Sequence, residues 1–325
     1  WNELVGRHNF GFKRFPVYIK RLMAGGINPD CTPKLEQRGE VVALLDGDNG
    51  FGQYAASLGM QAAIDMARQK GVGVVAVRNS NFFGTGAYFV EQAAKSSMIG
   101  LALSNSFPKV AAHNGLSAVL GTNPFAFGAP RRNGENLLVD IATSALAGST
   151  VRQYASSGQQ LPEGLAIDKK GEPILDPGEV KNGALLPFAG AKGYCLAIMV
   201  EILAGVLSGA GVSHGVKSMY RQLDQAGGNG HFMLAIDIER FMPIADYFAR
   251  MEAMLALLKN SGGGTREVLL PGEIRWRNYH ANKAAGLALD QNTRAQLEAL
   301  ADNAGLVAPW EAHDGGGGDG ETASS

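Results

Sequence analysis

The chain has 325 residues, 46% of them hydrophobic, and its 29 Lys and Arg nearly balance its 30 Asp and Glu, for a formal net charge of −1. This length allows a large buried core, and the balanced charge, with no clustered Lys/Arg run, argues against nucleic acid or an anionic membrane surface as a partner. The longest apolar stretch, 195–207, is interrupted by Glu201 and is too short to span a bilayer, so no transmembrane segment is expected.

The two cysteines and the two chain ends indicate the setting of the protein. Cys31 and Cys195 lie far apart and lack metal-ligand spacing, so we expect no disulfide, no metal site and a reducing cytoplasm. The chain opens on Trp1 in mid-pattern, without the profile of a signal peptide, which predicts a preceding segment. At the other end, the glycine-rich residues 311–325 are predicted to form a disordered tail.

The apolar patterns predict alternating helices and strands. A long N-terminal helix is expected to end with the periodic segment 15–23, before Gly25 and Gly26. Further strands and helices follow from continuous apolar runs and from helical spacing. Strands are predicted from Val41 and at 73–77, 98–104, 137–141 and 231–238, and helices at 54–70, 87–96, 193–207 and 292–305. This order indicates an α/β protein with mixed strand order.

A Rossmann dinucleotide fingerprint is missing. The best candidate, GVGVV at 71–75, lacks the third glycine and precedes a strand, whereas the fingerprint should follow one. No glycine cluster by itself therefore identifies a nucleotide site.

Several longer strings nevertheless occur together and in order. The strongest are DGDNGFGQ at 46–53, VRNSNFFG at 77–84, GTNPFAFGAP at 121–130 and VDIATS at 139–144, and LLPFAGAKGYCLAIMVEILAG, HFMLAIDIERF and LPGEIRWR follow. They resemble the type 2 malate/L-lactate dehydrogenase family, which includes ureidoglycolate, sulfolactate, diketogulonate and cyclic-imine-2-carboxylate reductases. The resemblance covers nearly the whole chain.

The resemblance implies an α/β fold that differs from the Rossmann fold. It implies a largely antiparallel mixed sheet that binds NAD or NADP, over residues 41–277, and a helical domain built from residues 1–40 and 278–308. It also implies a homodimer. The family's cofactor contacts correspond to Ser106, Asp140, Ile141, Ala142, Ala191, Lys192, Gly272 and Glu273. Lys192, in a glycine-rich helix start, could neutralise a cofactor phosphate.

The substrate end departs from the family pattern. The usual Ser-His-Gly signature is replaced by NFGFKRFPVY, so that Phe10 takes the place of the proton-donating histidine, and Phe82 replaces a second histidine. Arg14 and Tyr18 stand at the family's carboxylate-binding positions. A guanidinium can bind a carboxylate through two hydrogen bonds, and Tyr18 could add another.

Because phenylalanine replaces both histidines, another titratable residue would have to donate the proton. His113 and Lys109, in the KVAAHNG segment, lie where the family has a loop that borders the active site. His8 is a further candidate, although on a helix it would face away from Phe10. Ketone reduction requires such a donor.

Three functions remain open at this stage. The favoured one is an NAD(P)H-dependent reductase of a small cyclic 2-imino carboxylic acid, because a positively charged iminium accepts hydride without an enzymic acid and could contact Phe10 and Phe82. The second is a 2-oxo or 2-hydroxy acid dehydrogenase with a relocated proton donor. The third is a paralogue that binds NAD(P) but is redox-inactive or catalyses a non-redox step.

Overall fold

The computed structural model describes residues 1–308 and residue 310, so the predicted tail at 311–325 lies outside the described residues. The helices are α1 (Phe15–Met23), α2 (Gly52–Lys70), α3 (Gly86–Lys95), α4 (Gly148–Ser156), α5 (Ala191–Val200), α6 (Ile244–Asn260), α7 (Glu273–Ala285) and α8 (Gln291–Asn303). The strands are β1 (Lys34–Gln37), β2 (Val42–Asp46), β3 (Val72–Ser80), β4 (Met98–Ser104), β5 (Val110–Ala111), β6 (Ala118–Leu120), β7 (Phe125–Ala129), β8 (Leu137–Ile141), β9 (Ala166–Ile167), β10 (Ala184–Leu185) and β11 (Asn229–Asp237). Within this part of the chain no helix is long and apolar enough to cross a membrane.

The larger sheet has seven strands in the order β1-β2-β3-β11-β4-β7-β8. Only β2 and β3 pair in parallel, and the other neighbours are antiparallel. The prediction of a mixed α/β fold is therefore confirmed, and the pairing explains why a Rossmann fingerprint is missing. A Rossmann fold requires a mostly parallel sheet.

Helices α2 and α3 cover one face of this sheet and form the main core with it. Small residues on α2, including Ala56, Ala63 and Gly59, allow the helix to approach the strands closely. At Gly73 of β3, a Cβ atom would lie 2.0 Å from the carbonyl oxygen of Ala63. Only glycine fits this contact.

The opposite face is covered less completely. Helix α5 continues into a π-helical segment, Glu201–Val206, which packs on β11 and β4 around Leu103 and Phe232. The outer side of this helix carries exposed apolar residues, among them Met199 and Ile202. The described residues therefore cover this half of the sheet only partly.

A second, four-stranded sheet has the order β6-β5-β10-β9 and lies beside α4 and α5. Its strands have only two or three residues each. Strand β5 directly follows Lys109, whose backbone N–H donates to Leu120 O and whose carbonyl accepts from Leu185 N. The backbone of Lys109 is thus fixed on both sides by the small sheet.

The prediction of a long N-terminal helix is wrong. Helix α1 has nine residues, and two 3-10 turns, His8–Phe10 and Phe12–Arg14, precede it. Gly11 separates the turns with a backbone conformation that is neither helical nor extended, and Pro16 in the first turn of α1 has no N–H for a helical hydrogen bond. Arg14 is consequently the N-cap of α1. It does not lie inside a longer helix that also contains Tyr18.

Candidate active site

A cavity opens between the N-terminal turns, the loops after β3 and β4, and the start of α4. Its empty volume is about 1110 Å³, part of it open to solvent. The lining residues come from segments far apart in sequence. They include Arg7, Phe10, Arg14, Phe82, Phe83, Thr85, Asn105, Ser106, Phe107, Lys109, Thr122, Asp140, Ala142, Ser149, Thr150, Arg152, Tyr220 and Arg275.

Arg14 is buried in this cavity, with a relative exposure of 8%. Its Nε donates to Asn9 O at 2.6 Å and its Nη1 donates to the hydroxyl of Tyr220. Burial lowers the pKa of Arg14, although a guanidinium stays charged at any ordinary pH. No hydrogen bond or ion pair within the described residues occupies Nη2, so this nitrogen can serve an anionic ligand.

Phe10 and Phe82 form a stacked pair beside Arg14. Their ring centroids are 6.2 Å apart, and the Arg14 guanidinium carbon lies 5.9 Å from one ring and 6.0 Å from the other. The two rings shield the guanidinium from water and attract it electrostatically through the negative faces of their π systems. Neither ring can transfer a proton.

Lys109 lies in the same cavity as Arg14. Its Nζ is 4.3 Å from the ring centroid of Phe107 and 5.7 Å from that of Tyr220. Burial, together with the positive charges of Arg152, Arg14 and Arg221, lowers the pKa of Lys109 to about 8. An amine with this pKa can give or take a proton near neutral pH.

Tyr18 lies outside the cavity. Its hydroxyl accepts a hydrogen bond from Gln53 Nε2 at 2.8 Å, its ring packs edge-on against Phe51, and it lines two neighbouring depressions instead. Burial raises the pKa of this phenol. Tyr18 therefore does not line the cavity, although it is close enough to Arg14 for the guanidinium charge to oppose part of this shift in its pKa.

The histidines proposed as donors also lie elsewhere. His113 is exposed and does not line the cavity. It lies beside Gly190, where a Cβ atom would be 3.7 Å from His113 Cε1. His8 is half exposed, and its Nδ1 lies 2.5 Å from a carboxylate oxygen of Glu3. Of the three candidates, only Lys109 shares a cavity with Arg14.

Asp140 lies at another corner of the cavity, at the end of β8. Its carboxylate accepts from Arg275 Nη2 at 3.1 Å. Burial raises the pKa of Asp140, whereas Arg275 and Arg7 act against this shift. Arg275 Nη1 is buried and has no partner among the described residues.

Some of the other residues predicted to contact the cofactor line the cavity, and the others lie outside it. Ser106 and Ala142 line the cavity, and Ser106 Oγ accepts from Thr122 N at 3.0 Å. The remaining residues lie outside the cavity lining. Ile141 is exposed, Ala191 and Lys192 form the exposed start of α5, Gly272 precedes α7, and the Glu273 carboxylate pairs with Lys259 at 2.5 Å and with Arg277 at 2.9 Å.

The cavity lining fits the nicotinamide end of a dinucleotide. The polar residues Thr85, Asn105 and Ser106 line it, Arg7 and Arg275 supply positive charge, and the buried Arg275 Nη1 has no partner among the described residues. Both kinds of group suit the amide, ribose and phosphate parts of such a cofactor.

Sequence reasoning missed Arg7, Arg152, Tyr220 and Arg275. Tyr220 lies in a loop after residue 215 and reaches Arg14 across 206 positions of sequence. Arg152 is an exposed residue of α4, where an arginine normally faces solvent. Only Arg275 had a sequence signal, because it lies within the LPGEIRWR string.

A buried histidine supports the cavity wall from behind. The His231 ring stacks on Phe83 with centroids 4.8 Å apart, and its nitrogens are 2.9 Å from Ser104 Oγ and 2.8 Å from Ser80 Oγ. Burial lowers the pKa of His231 to about 3, so the ring is neutral. His231 supports Phe83, which lines the cavity, but it is too deeply buried to donate a proton to a ligand in the cavity.

Comparison with known proteins assigns the family. The family model described as malate/L-lactate dehydrogenase matches residues 1–298. A malate dehydrogenase of Pyrococcus abyssi is 41% identical over 94% of this chain and 86% of its own length. A Delta(1)-pyrroline-2-carboxylate/Delta(1)-piperideine-2-carboxylate reductase of Pseudomonas syringae pv. tomato is 34% identical over 91% of this chain and 85% of its own.

The fold comparison agrees with the sequence comparison. The solved structure of sulfolactate dehydrogenase from Methanocaldococcus jannaschii superimposes with a TM-score of 0.87 at 36% identity, covering 94% of this chain and 88% of that chain. The chain therefore belongs to the malate/L-lactate dehydrogenase family and is an oxidoreductase of its type 2 group.

Proposed function

We propose that this protein transfers hydride between a nicotinamide cofactor and C2 of a small 2-oxo or 2-hydroxy carboxylic acid, with Arg14 and Lys109 as its substrate residues. One observation carries this proposal. The buried Arg14, whose Nη2 has no partner among the described residues, and Lys109, whose pKa is about 8, line one cavity. Similarity to dehydrogenases of small carboxylic acids supports the reaction class.

Arg14 binds and orients the substrate carboxylate. Asn9 and Tyr220 hold two of its nitrogens, and Phe10 and Phe82 flank it, so the guanidinium is fixed before the substrate arrives. A fixed guanidinium places the carboxylate, and with it C2, in one orientation. This geometry reduces the entropy that hydride transfer would otherwise cost.

Lys109 acts on the oxygen at C2. In the reductive direction its ammonium group donates a proton to that oxygen, and in the oxidative direction the neutral amine removes the hydroxyl proton. A bound NAD(H) or NADP(H) supplies or accepts the hydride when it occupies the cavity beside Ser106, Asp140 and Ala142. Lys109 thereby takes over the part that Phe10 and Phe82 cannot perform.

A cyclic 2-imino acid is the second candidate substrate. The Phe10–Phe82 stack and the similarity to a pyrroline-2-carboxylate reductase favour it. An iminium ion is already activated for hydride addition, so it does not need Lys109 as an acid. The Arg14 guanidinium already lies against both rings, however, and this leaves the aromatic pair less available to a cationic substrate.

We also propose that the protein works as a homodimer in a reducing cytoplasm. The exposed apolar side of α5 and of the π-helical segment, on a half-covered sheet, supports the dimer, and two unpaired cysteines support the compartment.

The decisive experiment measures NADH and NADPH oxidation with an open-chain 2-oxo acid and with the matched cyclic imine-2-carboxylate. We expect turnover of the 2-oxo acid and its loss in Lys109→Met, with cofactor binding retained. Turnover of the imine alone, unaffected by Lys109→Met, would replace the first proposal by the second. Cofactor binding without turnover of any acid would instead indicate a non-redox function.

A further inference from the structure

The π-helical segment Glu201–Val206 carries a buried carboxyl group that the proposed reaction does not use. Glu201 is 4% exposed and belongs to none of the ion pairs of the described residues. Its Oε2 accepts from Asn123 Nδ2 at 2.7 Å, and its Oε1 accepts from the backbone N–H of Ser213 at 2.8 Å. Burying a carboxyl group without a cation costs stability. In return, this one side chain holds two separate loops.

The contact with Glu201 orients the side chain of Asn123. An amide has a donor end and an acceptor end, whereas an ionised carboxyl group only accepts. Glu201, together with Ala197 O at 3.2 Å, therefore binds Nδ2. The other end, Oδ1, accepts from the backbone N–H of Ser106 at 3.2 Å. Because Asn123 is completely buried, Glu201 determines which end of the amide Ser106 meets.

The loop of Ser106 packs closely against the loop of Asn123. A Cβ atom at Gly121 would collide with Ser106 O and Oγ and would lie 2.5 Å from Asn123 Oδ1, so only glycine fits between them. Ser106 Oγ also accepts from Thr122 N at 3.0 Å. A change in the orientation of the Asn123 amide is therefore passed directly to Ser106.

Gly205 brings the same π-helical segment against the neighbouring cavity residue, Asn105. A Cβ atom at Gly205 would lie 2.9 Å from Asn105 Nδ2, which donates to Gly211 O at 2.6 Å. The segment thus contacts Asn105 with its backbone and, through Asn123, Ser106 with a side chain. Both Asn105 and Ser106 line the cavity. Segments of π-helix are rare and frequently occur at functional sites.

We infer that Glu201 is a positioning residue, which fixes Ser106 on the cofactor side of the cavity by orienting the Asn123 amide. The inference rests on the proposed function, in which Ser106 lies beside the nicotinamide cofactor. Glu201 itself does not line the cavity. It acts by holding the loop in one conformation before the cofactor binds, which reduces the conformational entropy that binding costs.

Glu201→Gln tests the orientation, because it replaces one acceptor by a donor with little change in shape. The backbone N–H of Ser213 cannot turn away, so the remaining oxygen stays with it and the new amide nitrogen faces Asn123 Nδ2. Two donors then oppose each other, and the hold on Ser106 weakens. We expect the Ser106 amide to exchange with deuterium at least about tenfold faster, the effect of one lost hydrogen bond to a charged group.

The affinity for the reduced cofactor gives the second measurement. The fluorescence of the reduced nicotinamide reports binding of NADH or NADPH, whichever the unaltered protein binds, without turnover. We expect its Kd to rise about tenfold in Glu201→Gln. Mass spectrometry of peptides that cover residues 105–107 follows the amide exchange in the absence of any cofactor.

The double variant Glu201→Gln with Asn123→Asp reverses the hydrogen bond. The new amide at position 201 then donates to the new carboxylate at position 123, whose other oxygen still accepts from Ser106 N. Asn123 has a φ of 29°, and Asp, like Asn, tolerates a positive φ. Asn123→Asp alone sets two carboxylates against each other. The double variant should therefore bind the reduced cofactor more tightly than either single variant, with partial recovery because Ala197 O loses its donor.

Glu91→Gln is the matched control. Glu91 is another buried glutamate, 2% exposed, and its Oε2 accepts from the side-chain amide of Asn136 at 3.1 Å. Neither Glu91 nor Asn136 lines the cavity. This variant should leave the exchange of the Ser106 amide and the Kd of the reduced cofactor within about twofold of the unaltered protein.

Four results would overturn the inference. Unchanged exchange of the Ser106 amide in Glu201→Gln would remove the positioning role, and faster exchange with unchanged cofactor affinity would remove its link to the cofactor. An equal effect in Glu91→Gln would reduce it to a general loss of stability, and a double variant weaker than both single variants would exclude the path through Asn123.

Failure of the proposed hydride transfer would look different. Amide exchange and cofactor affinity would follow the expected order among the variants, but no 2-oxo acid would oxidise the bound cofactor. A protein that bound neither NADH nor NADPH would likewise refute the proposed function, while the exchange of the Ser106 amide would still test its control by Glu201.

Discussion

Lys109 shows at the scale of one residue how the fold creates chemistry. In a solvated loop its amine would stay protonated and take no part in proton transfer, because its pKa would lie far above neutral pH. Its backbone is held by β6 and β10, and its side chain is placed among Arg14, Arg152 and two aromatic rings. The same neighbours that lower its pKa also form the substrate site.

The pH dependence of catalysis follows from this pKa. Reduction needs the ammonium form of Lys109, which is lost above a pH of about 8, and oxidation needs the neutral amine. We therefore expect kcat/KM for reduction to fall above about pH 8 and kcat/KM for oxidation to rise over the same range. Steady-state measurements of kcat/KM against pH in both directions would test this expectation. Profiles that change in the same way in both directions would contradict it.

Replacing Lys109 should stabilise the protein while it removes activity. Below about pH 8 the folded and the unfolded chain both carry the lysine proton, and the folded state bears the full cost of a partly buried charge. Between about pH 8 and pH 10 the folded state releases the proton first, so stability rises with pH. Lys109→Met should raise Tm by about 2 °C at neutral pH, the effect of about 1 kcal/mol in a chain of this size.

The advantage of Lys109→Met should shrink as the pH rises above 8. Lys169→Met, at an exposed lysine, is the control and should leave Tm unchanged. A stabilisation that is the same at every pH, or one that the control shares, would argue against a charged buried amine. Thermal unfolding followed by circular dichroism across this range gives the measurement.

At the scale of elements, Arg21 joins three segments that form the surroundings of the site. This fully buried residue of α1 donates from Nη2 to Gly26 O and Asn81 Oδ1 at 2.8 Å and to Gln225 O at 2.9 Å. Asn81 precedes Phe82, and Gln225 follows the loop that contains Tyr220. One guanidinium thus connects α1 with both cavity loops.

Arg21→Met should destabilise the fold by about 3 kcal/mol, because it leaves two buried oxygens and one partly buried oxygen without their donor. Lys20→Met, at the exposed neighbouring position, is the matched control. Urea unfolding compares the two variants. Equal free energies of unfolding would show that Arg21 only fills space.

The predicted elements differ in how well their sequences determine them. Strands β4 and β8 match their predicted bounds, because each coincides with a short run of mainly apolar residues, MIGLALS and LLVDI. Helix α4 was missed, since GSTVRQYAS is rich in residues of low helix propensity. The two-residue strands β5, β9 and β10 form through long-range pairing with one another and with β6, which local sequence does not indicate.

At the scale of the whole molecule, the outer side of α5 and its π-helical continuation has no partner among residues 1–308 and 310. Met199 is 55% exposed, Ile202 49% and Val206 60%, at spacings of three and four residues that place them on one helix face. Apolar residues exposed in such a row mark association surfaces. Here the row lies on the face of the sheet that α2 and α3 leave open.

The double variant Ile202→Lys with Val206→Lys should convert a dimer into monomers, because two buried charges oppose association. Light scattering after size exclusion would give the masses. Leu257→Lys, at an exposed leucine of α6, is the control and should remain a dimer. A monomeric unaltered protein, or a double variant that stays dimeric, would contradict the proposed interface.

The sequence by itself determined the family, the α/β class and most long elements, because these depend on local apolar spacing and on ordered strings such as GTNPFAFGAP. Through the resemblance to the family it also identified Arg14 and Lys109 as candidates, because of the positions they take in the family pattern. Only the tertiary structure decided that these two share a cavity while Tyr18 and His113 lie outside it. Spacing along a chain fixes neighbours within an element, whereas the meeting of residue 14 with residues 109, 152 and 220 depends on how loops from different elements pack together.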